Sequence, residues 1–585
     1  HHVVCYGKID VYKKKLQMVS PEYEIINTAD DEDSLGLKRI VPIYPLTRGM
    51  TQRYIRKVIK KCLDGYLESM TDHLPVRIRN TYKLMNIKRS LSHIHFPEEF
   101  PSQQDAIRRI SFEEFYFFQI SVNLRRLSIT QQEGFKHQIS DAQTLSFIHA
   151  FHFELTGAQK RVIQEIKSDM TQSKPMLRLL QGDVGSGKTL VAFYGCLMAI
   201  NNGNQTAIMA PTEILARQHY TNITQLIDDK IFPDIHVRIL VSTIKKQEKD
   251  EIIEELKNGR IDLLIGTHAL IYEEVQFKRL SFIVIDEQHK FGVQQRALLT
   301  EKGDNPDVLI MTATPIPRTL CITLYGDLDV STIDELPPNR GAIQTKHVSH
   351  DRVEEVYAFV RTILKKKQQA YFVYPLIEES QTLDIKDAEN MYKHFKARVF
   401  KDFRVGLIHG QMKRSEMEQI MLGFKAKKID VLVATTVLEW GVDVPNASVM
   451  VIEQAERFGL AQLHQLRGRI GRGNLDSHCF LIADPQTQEG QMRLQAICSS
   501  RDGFYIAQKD LEIRGPGHYF GRHQHGLNEL KVANPATQID LLELARKEAL
   551  AVTQSDPNLL MKEHQAMKDV VLKRYPGYLN MVKAG

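Results

Sequence analysis

The sequence predicts an α/β protein built on two tandem parallel sheets, preceded by short strands and a helical connector and followed by a helical C-terminal region. Three observations carry that expectation. From about residue 151, short apolar runs alternate with helix-like stretches: Met176–Leu180, Ala207–Ala210, Leu263–Ile265, Phe282–Ile285 and Val308–Met311. This is the pattern of βαβ units in a buried parallel sheet. The alternation halts at Leu336-Pro337-Pro338-Asn339-Arg340-Gly341, a stretch rich in breakers. It then resumes with Ala370–Val373, Val405–Ile408, Val431–Ala434, Val449–Ile452 and Phe480–Ala483, so a second α/β domain follows the first.

With 585 residues the chain has room for about four domains. The expected segments are 1–45, 46–150, 151–336, 337–490 and 491–585. Residues 1–45 are short and strand-like and end in Val41-Pro42-Ile43-Tyr44-Pro45. The pattern then turns helical. Arg53, Arg56, Lys57, Lys60 and Lys61 recur at three- and four-residue spacing opposite Tyr54, Ile55, Val58, Ile59 and Leu63, which reads as a solvated basic face. The last segment is mostly helical, with a Gly-rich interruption near 514–526.

Composition excludes several classes. The chain is 43% hydrophobic and 25% charged, with a mean hydropathy of -0.29, which is neither disordered nor collagen-like. No run reaches the ~18–20 apolar residues of a membrane span, so no membrane partner is expected, and the first residues do not read as a signal peptide. His1 and His2 are given no function. Six cysteines, none in CxxC, argue against a disulfide framework or a zinc cluster and for a reducing cytosol. The 22 histidines show no metal-ligand spacing. A net charge of +6 permits a polyanionic partner without requiring one.

The strongest local signal is Gly182-Asp183-Val184-Gly185-Ser186-Gly187-Lys188-Thr189, between an apolar run and a helix-like stretch. Glycines let backbone N–H groups converge on phosphate oxygens, and the helix N-terminus that follows favours an anion. Lys188 is expected to reach the β and γ phosphates of ATP and Thr189 to ligate Mg²⁺. About a hundred residues on, the run Ser281–Ile285 ends in Asp286 and Glu287. Asp286 is placed to hold Mg²⁺ through water, and Glu287 to orient and deprotonate the attacking water. Thr312 and Thr314 follow another buried run and could relay the nucleotide state. Gln465–Arg472 sets Arg467, Arg469 and Arg472 among glycines, an arrangement suited to a γ-phosphate and unsuited to a core.

Together these residues resemble the superfamily-two helicases, and in detail the RecG family of ATP-dependent DNA helicases, over nearly the whole chain. The resemblance implies two RecA-like domains with ATP in the cleft between them. Gln17–Glu24 and Pro42–Thr47 are similar to the exit from the family's wedge domain, so residues 1–45 would be the end of an OB-fold. His95-Phe96-Pro97 and Phe112-Glu113-Glu114-Phe115 are similar to the helical connector. Phe153 to Gln159 resembles the adenine-side motif, with Gln159 reading the base edge. Thr212 and Arg217, within Ala210–His219, and Thr267 and His268, within Gly266–Leu270, fall in motifs that contact the DNA backbone. Asp286–Val293 has the family's form of the second helicase motif. Thr435, Gly441 and Asp443 match the motif before the arginine cluster, in which Arg469 and Arg472 would be arginine fingers. Arg514 and Gln524 fall in the translocation motif that couples domain closure to movement on duplex DNA.

What the resemblance implies is an ATP- and Mg²⁺-dependent motor that unwinds or regresses branched double-stranded DNA in repair and recombination. It would act as a monomer in the bacterial cytoplasm at the nucleoid, with single-stranded DNA-binding protein as a candidate partner. Three departures stand out. The first half of the wedge domain is expected to lie before residue 1, which bears on fork specificity more than on ATP hydrolysis. Trp440 stands where a small aliphatic residue is expected, and His525 where a small hydroxyl residue is. Two rivals are the translocase module of a transcription-repair coupling factor, against which Gln288-His289 argues, and a non-catalytic DNA-binding scaffold. Intact Lys188, Asp286, Glu287 and Arg472 argue against the scaffold. A duplex translocase without fork specificity is the milder alternative.

Overall fold

The computed structural model describes all residues except 1, 8, 13–14, 19–21, 27–39, 48, 131, 152, 229–234, 288–297, 313–327, 338–340, 376–380, 436–443, 472, 474, 515–529, 536 and 576–585. The chain divides into two compact units: His1–Leu127 with Arg522–Gly585, and Ser128–Gly521. The expected segments 46–150 and 491–585 are therefore each shared between the units.

The first unit opens with four short strands in two antiparallel pairs. β1 (His2–Tyr6) pairs with β4 (Glu22–Ile26), and β2 (Ile9–Tyr12) with β3 (Lys15–Met18). Helix α1 (Gln52–Tyr66) begins where the Thr51 hydroxyl accepts the Tyr54 N–H, the usual N-cap bond. The Gln52 amide brackets Tyr44, accepting from its N–H at 3.0 Å and donating to its carbonyl at 2.7 Å. This brings residues 40–45 across one face of α1, and Arg56 is buried there with Nε donating to the Pro42 carbonyl at 2.9 Å. The basic stripe expected on this helix is thus interrupted, and Tyr54 and Val58, expected opposite it, are exposed.

Helices α2 (Val76–Thr81), α3 (Ile87–His95) and the 31-residue α4 (Phe100–Thr130) follow. Phe112, Phe115, Tyr116, Phe117 and Phe118 are fully buried, with Tyr116 and Phe118 against Met567 and Tyr575 of the C-terminal helix 562–574 and its end, and Phe112 against Tyr82. Its buried charges Arg109, Glu113 and Glu114 are matched. Arg109 bonds Glu113 at 2.8 Å and Asp72 at 2.7 Å. Glu114 accepts the main-chain N–H groups of Lys531, Val532 and Ala533 at 2.8–3.2 Å.

The second unit begins with α5 (Asp141–His149) and α6 (Gly157–Met170). It then alternates β5 (Leu177–Gly182), α7 (Lys188–Asn201), β6 (Gln205–Met209), α8 (Glu213–Asp228), β7 (Val237–Leu240), α9 (Lys246–Lys257) and β8 (Leu263–Gly266). Strands β9 (Leu280–Asp286), β10 (Asp307–Thr312) and β11 (Asp329–Ile333) complete, among the described residues, a parallel sheet of order β11-β5-β10-β9-β6-β8-β7.

A second parallel sheet, of order β12-β17-β16-β13-β15-β14, comes from β12 (Ile343–Val348), α10 (Val353–Lys365), β13 (Gln369–Val373), α11 (Gln381–His394), β14 (Val405–Ile408), α12 (Arg414–Lys425), β15 (Val431–Ala434), β16 (Ala447–Ile452), α13 (Leu460–Arg467) and β17 (Ser477–Ile482). Helices α14 (Gln488–Ser499) and α15 (Gly503–Arg514) close the unit. Separate apolar clusters pack the two faces of each sheet, so most central strands are buried at every position. That is why they read as continuous apolar runs rather than alternating ones.

Candidate ATP-binding and DNA-coupling site

Parallel sheets collect their loops at the carboxyl ends of the strands, and ligands bind there. β10 lies between β5 and β9, with Thr312 beside Gln181 and Met311 beside Asp286. The phosphate-type loop 182–189, Thr312 and Asp286 therefore share one edge. Thr212, after β6, and Thr267, after β8, lie along the same edge. Thr314 falls outside the described residues.

Inside the loop, Gly185 and Gly187 have φ of +78° and +89°, a backbone that disfavours any side chain. A Cβ at Gly187 would also stand 2.3 Å from Gln159 Nε2. Gln159 is buried and held at both ends of its amide. Its Oε1 accepts the Thr156 N–H at 2.9 Å, closing a capping box on α6, and its Nε2 donates to the Ser186 carbonyl at 2.8 Å. The residue expected to read a base edge thus clasps the loop. Phe153 is half exposed beside Phe151, with its ring open to a partner. Lys188 Nζ donates to the carbonyls of Gly182 at 2.8 Å and Asp183 at 2.9 Å, and Thr189 follows it in the first turn of α7.

At the end of β9, Asp286 is buried, and its Oδ2 bonds His219 Nε2 on α8 at 2.8 Å. Burial disfavours its charge, but the His219 bond and the nearby Lys188 hold the carboxyl below the ordinary range. Glu287 follows with φ of +51°, the left-handed region that a β-carbon makes costly by about 1–3 kcal/mol. Such strain is found at sites where a side chain must be aimed. His219 carries this contact without having been singled out in the sequence, because its partner lies 67 residues away.

The expected DNA-facing residues divide. Thr212 caps α8, its hydroxyl accepting the Leu215 N–H. Arg217 is half exposed, yet its Nε and Nη2 both donate to Oε1 of the buried Glu213, at 3.0 and 2.8 Å. Thr267 is buried and His268 exposed.

In the second sheet, Thr435 is buried just after β15, whereas Gly441, Asp443 and Trp440 lie outside the described residues. Of the three arginines in the cluster, Arg467 is a core residue. It is 3% exposed and donates to the carbonyls of Ile497, Ser500 and Arg501 at 2.7–3.3 Å. Three carbonyls and the His464 ring take its Nη1 and Nη2 donors, which is how a core arginine is tolerated. Arg469 lies just past α13, partly exposed, and Arg472 is outside the described residues. Gly468 lies against Val184 of the loop, where an added Cβ would come within 3.1 Å. Arg514 ends α15, and Gln524 and His525 lie outside the described residues.

Three family profiles match the chain in series. They are described as DEAD/DEAH box helicase over 156–321, helicase conserved C-terminal domain over 354–474, and ATP-dependent DNA helicase RecG, domain 3, C-terminal, over 500–574. The ATP-dependent DNA helicase RecG of Bacillus subtilis is 43% identical over 572 residues, covering 98% of this chain and 82% of that one. The chain belongs to the RecG family. The RecG helicase of Synechocystis is also 43% identical, over 98% of this chain and 68% of its own length. That of Thermotoga maritima is 46% identical, over 90% and 67%. A solved structure of RecG bound to a three-way DNA junction superposes on 93% of this chain and 70% of that one, with a TM-score of 0.72 and 41% identity.

Proposed function

We propose that this RecG-family chain converts ATP hydrolysis into unwinding or regression of branched double-stranded DNA. The observation that carries the reading is the continuity of phosphate loop, Asp286-Glu287 and arginine turn within a chain that matches RecG from its strands to its C-terminal helices.

Lys188 would leave the carbonyls of Gly182 and Asp183 for the β and γ phosphates, while loop N–H groups take the remaining oxygens. Phe153 would stack on the base. Gln159 would meet its edge with the second amide N–H or the second lone pair of Oε1, its other sites holding Thr156 and Ser186. Glu287 would orient the attacking water and accept its proton as the γ phosphorus–oxygen bond to the β phosphate breaks. Arg469 and Arg472 would meet the charge developing on the transferred group. Thr189 and an ionised Asp286 are oxygen donors of the kind Mg²⁺ prefers, and the ion would neutralise charge between the β and γ phosphates. Thr212, Thr267, His268, Thr312, Thr314 and Thr435 would grip the DNA backbone or relay the nucleotide state, and Arg514 and Gln524 would couple closure to movement. Arg217 would join them through Nη1 while Nε and Nη2 keep their hold on Glu213. Monomeric action, recruitment by single-stranded DNA-binding protein, a cytoplasmic location at the nucleoid, and the five-segment division with a wedge at 1–45 belong to the same proposal.

The test is ATP hydrolysis measured without DNA, with linear duplex and with a three-way junction, for the natural chain and Glu287→Gln. The expected result is strongest stimulation by the junction and loss of turnover in the variant by at least about a hundredfold. Equal stimulation by both DNAs would leave a translocase without branch recognition. No hydrolysis at all would make the chain a scaffold.

A further inference from the structure

Both carboxylate oxygens of the acidic residue in the phosphate loop are held by segments far along the chain. Asp183 Oδ1 bonds Nε2 of His464 on α13, and Oδ2 accepts the N–H of Gly503, the first residue of α15, at 3.2 Å. On its other side, His464 Nδ1 lies 3.0 Å from Arg467 Nη2. A guanidinium can only donate, so Nδ1 accepts there and Nε2 is left as the donor to Asp183. Arg467 in turn fixes the carbonyls of Ile497, Ser500 and Arg501, which form the end of α14 and the link into α15. Asp502 Oδ1 takes the Phe504 N–H at 2.9 Å, so the two acids share the unpaired donors of the first turn of α15. The carboxylate of one loop residue thus joins three segments, and the last of them opens the stretch that matches the RecG domain 3 profile.

We propose that Asp183 is a positioning residue that ties the phosphate loop to α13 and to the start of α15, so that nucleotide binding in the loop is delivered to the C-terminal segment. The proposal rests on reading the chain as an ATP-driven DNA motor. Its physical basis is a competition for Lys188. That ammonium holds the carbonyls of Gly182 and Asp183, and phosphates that attract it free the main chain at the residue whose side chain carries the tie. The loop cannot relax there without moving His464 or the Gly503 N–H.

The experiment uses the full chain and reads two quantities, base pairs of a three-way junction unwound per ATP hydrolysed and the Kd of a fluorescent ADP analogue. In His464→Asn the amide oxygen can still accept from Arg467, but the shorter side chain cannot reach Asp183. The ratio should fall to about one tenth, with the Kd unchanged. In His464→Gln the amide nitrogen stands near the place of Nε2, and the ratio should return to within about twofold of the natural value. Asp183→Asn should lower the ratio as His464→Asn does, and the double variant should fall no further. If His464→Asn does not fold, Asp183→Asn carries the same comparison. An unchanged ratio in His464→Asn, or a ratio unchanged while turnover and affinity fall together, overturns the tie. A natural chain that hydrolyses ATP but unwinds no junction overturns the motor reading and the tie with it.

Discussion

Asp286 and His219 show how a residue's role is set by a partner that the chain supplies from far away. The phosphate loop is legible in the sequence because its glycines, Lys188 and Thr189 act within eight consecutive positions. Asp286 and Glu287 are legible because they end an apolar run. His219 is not, and neither is the Asp183–His464 contact, which spans 281 residues. Gln159 lies between these cases: its capping box follows from the Thr-x-x-Gln spacing, but its bond to Ser186 does not. Because His219 fixes one oxygen of Asp286, His219→Ala should raise the Mg²⁺ concentration needed for half-maximal nucleotide binding by about 10–100-fold. Titrating Mg²⁺ against binding of a fluorescent ADP analogue reads this directly. An unshifted midpoint would mean that Asp286 is positioned without its histidine.

At the scale of elements, the strands are where the sequence speaks most clearly, since burial on both faces leaves uninterrupted apolar runs. Helices are harder, because periodicity reports a face but not what covers it. On α1, Arg56 has the spacing of a surface cation yet is buried under residues 40–45. On α13, Arg467 has the spacing of a phosphate ligand and is a core staple instead.

Element packing also creates a titrating group. Glu453, just past β16, is buried beside Tyr357, whose hydroxyl donates to it at 3.3 Å. Burial pushes its carboxyl up to about 7, against the opposing pull of His350 and the Tyr357 bond and with a further push from Glu456. The folded chain therefore holds a proton there that the unfolded chain, titrating near 4.5, has already lost. Stability contributed by that proton is present below the unfolded value and lost as pH rises through 7. Glu453→Gln should leave stability nearly unchanged at about pH 4 and raise it at about pH 8 by up to about 3 kcal/mol. Denaturant unfolding at the two pH values checks the sign, and a larger gain at the lower pH would reject it.

For the whole molecule, a net charge of +6 is small for 585 residues, so affinity for DNA should come from local grips rather than from a general positive field. Those grips would hold phosphates, which makes binding depend on salt and hardly on base sequence. A plot of log affinity against log salt should be linear, falling by roughly 0.9 for each phosphate engaged, and alike for junctions of unrelated sequence. A flat plot would exclude backbone recognition.

The Glu114 carboxylate has a different consequence for the chain as a whole. It holds Lys531, Val532 and Ala533 only by their main-chain N–H groups. Such a grip recognises the backbone and ignores the identity of the side chains. For this contact those three positions can drift to any residue that still carries an amide hydrogen, and proline alone is barred. One glutamate on the long helix thereby fixes the C-terminal segment by its backbone, and it is the burial of Ala533, not the carboxylate, that limits side-chain size there.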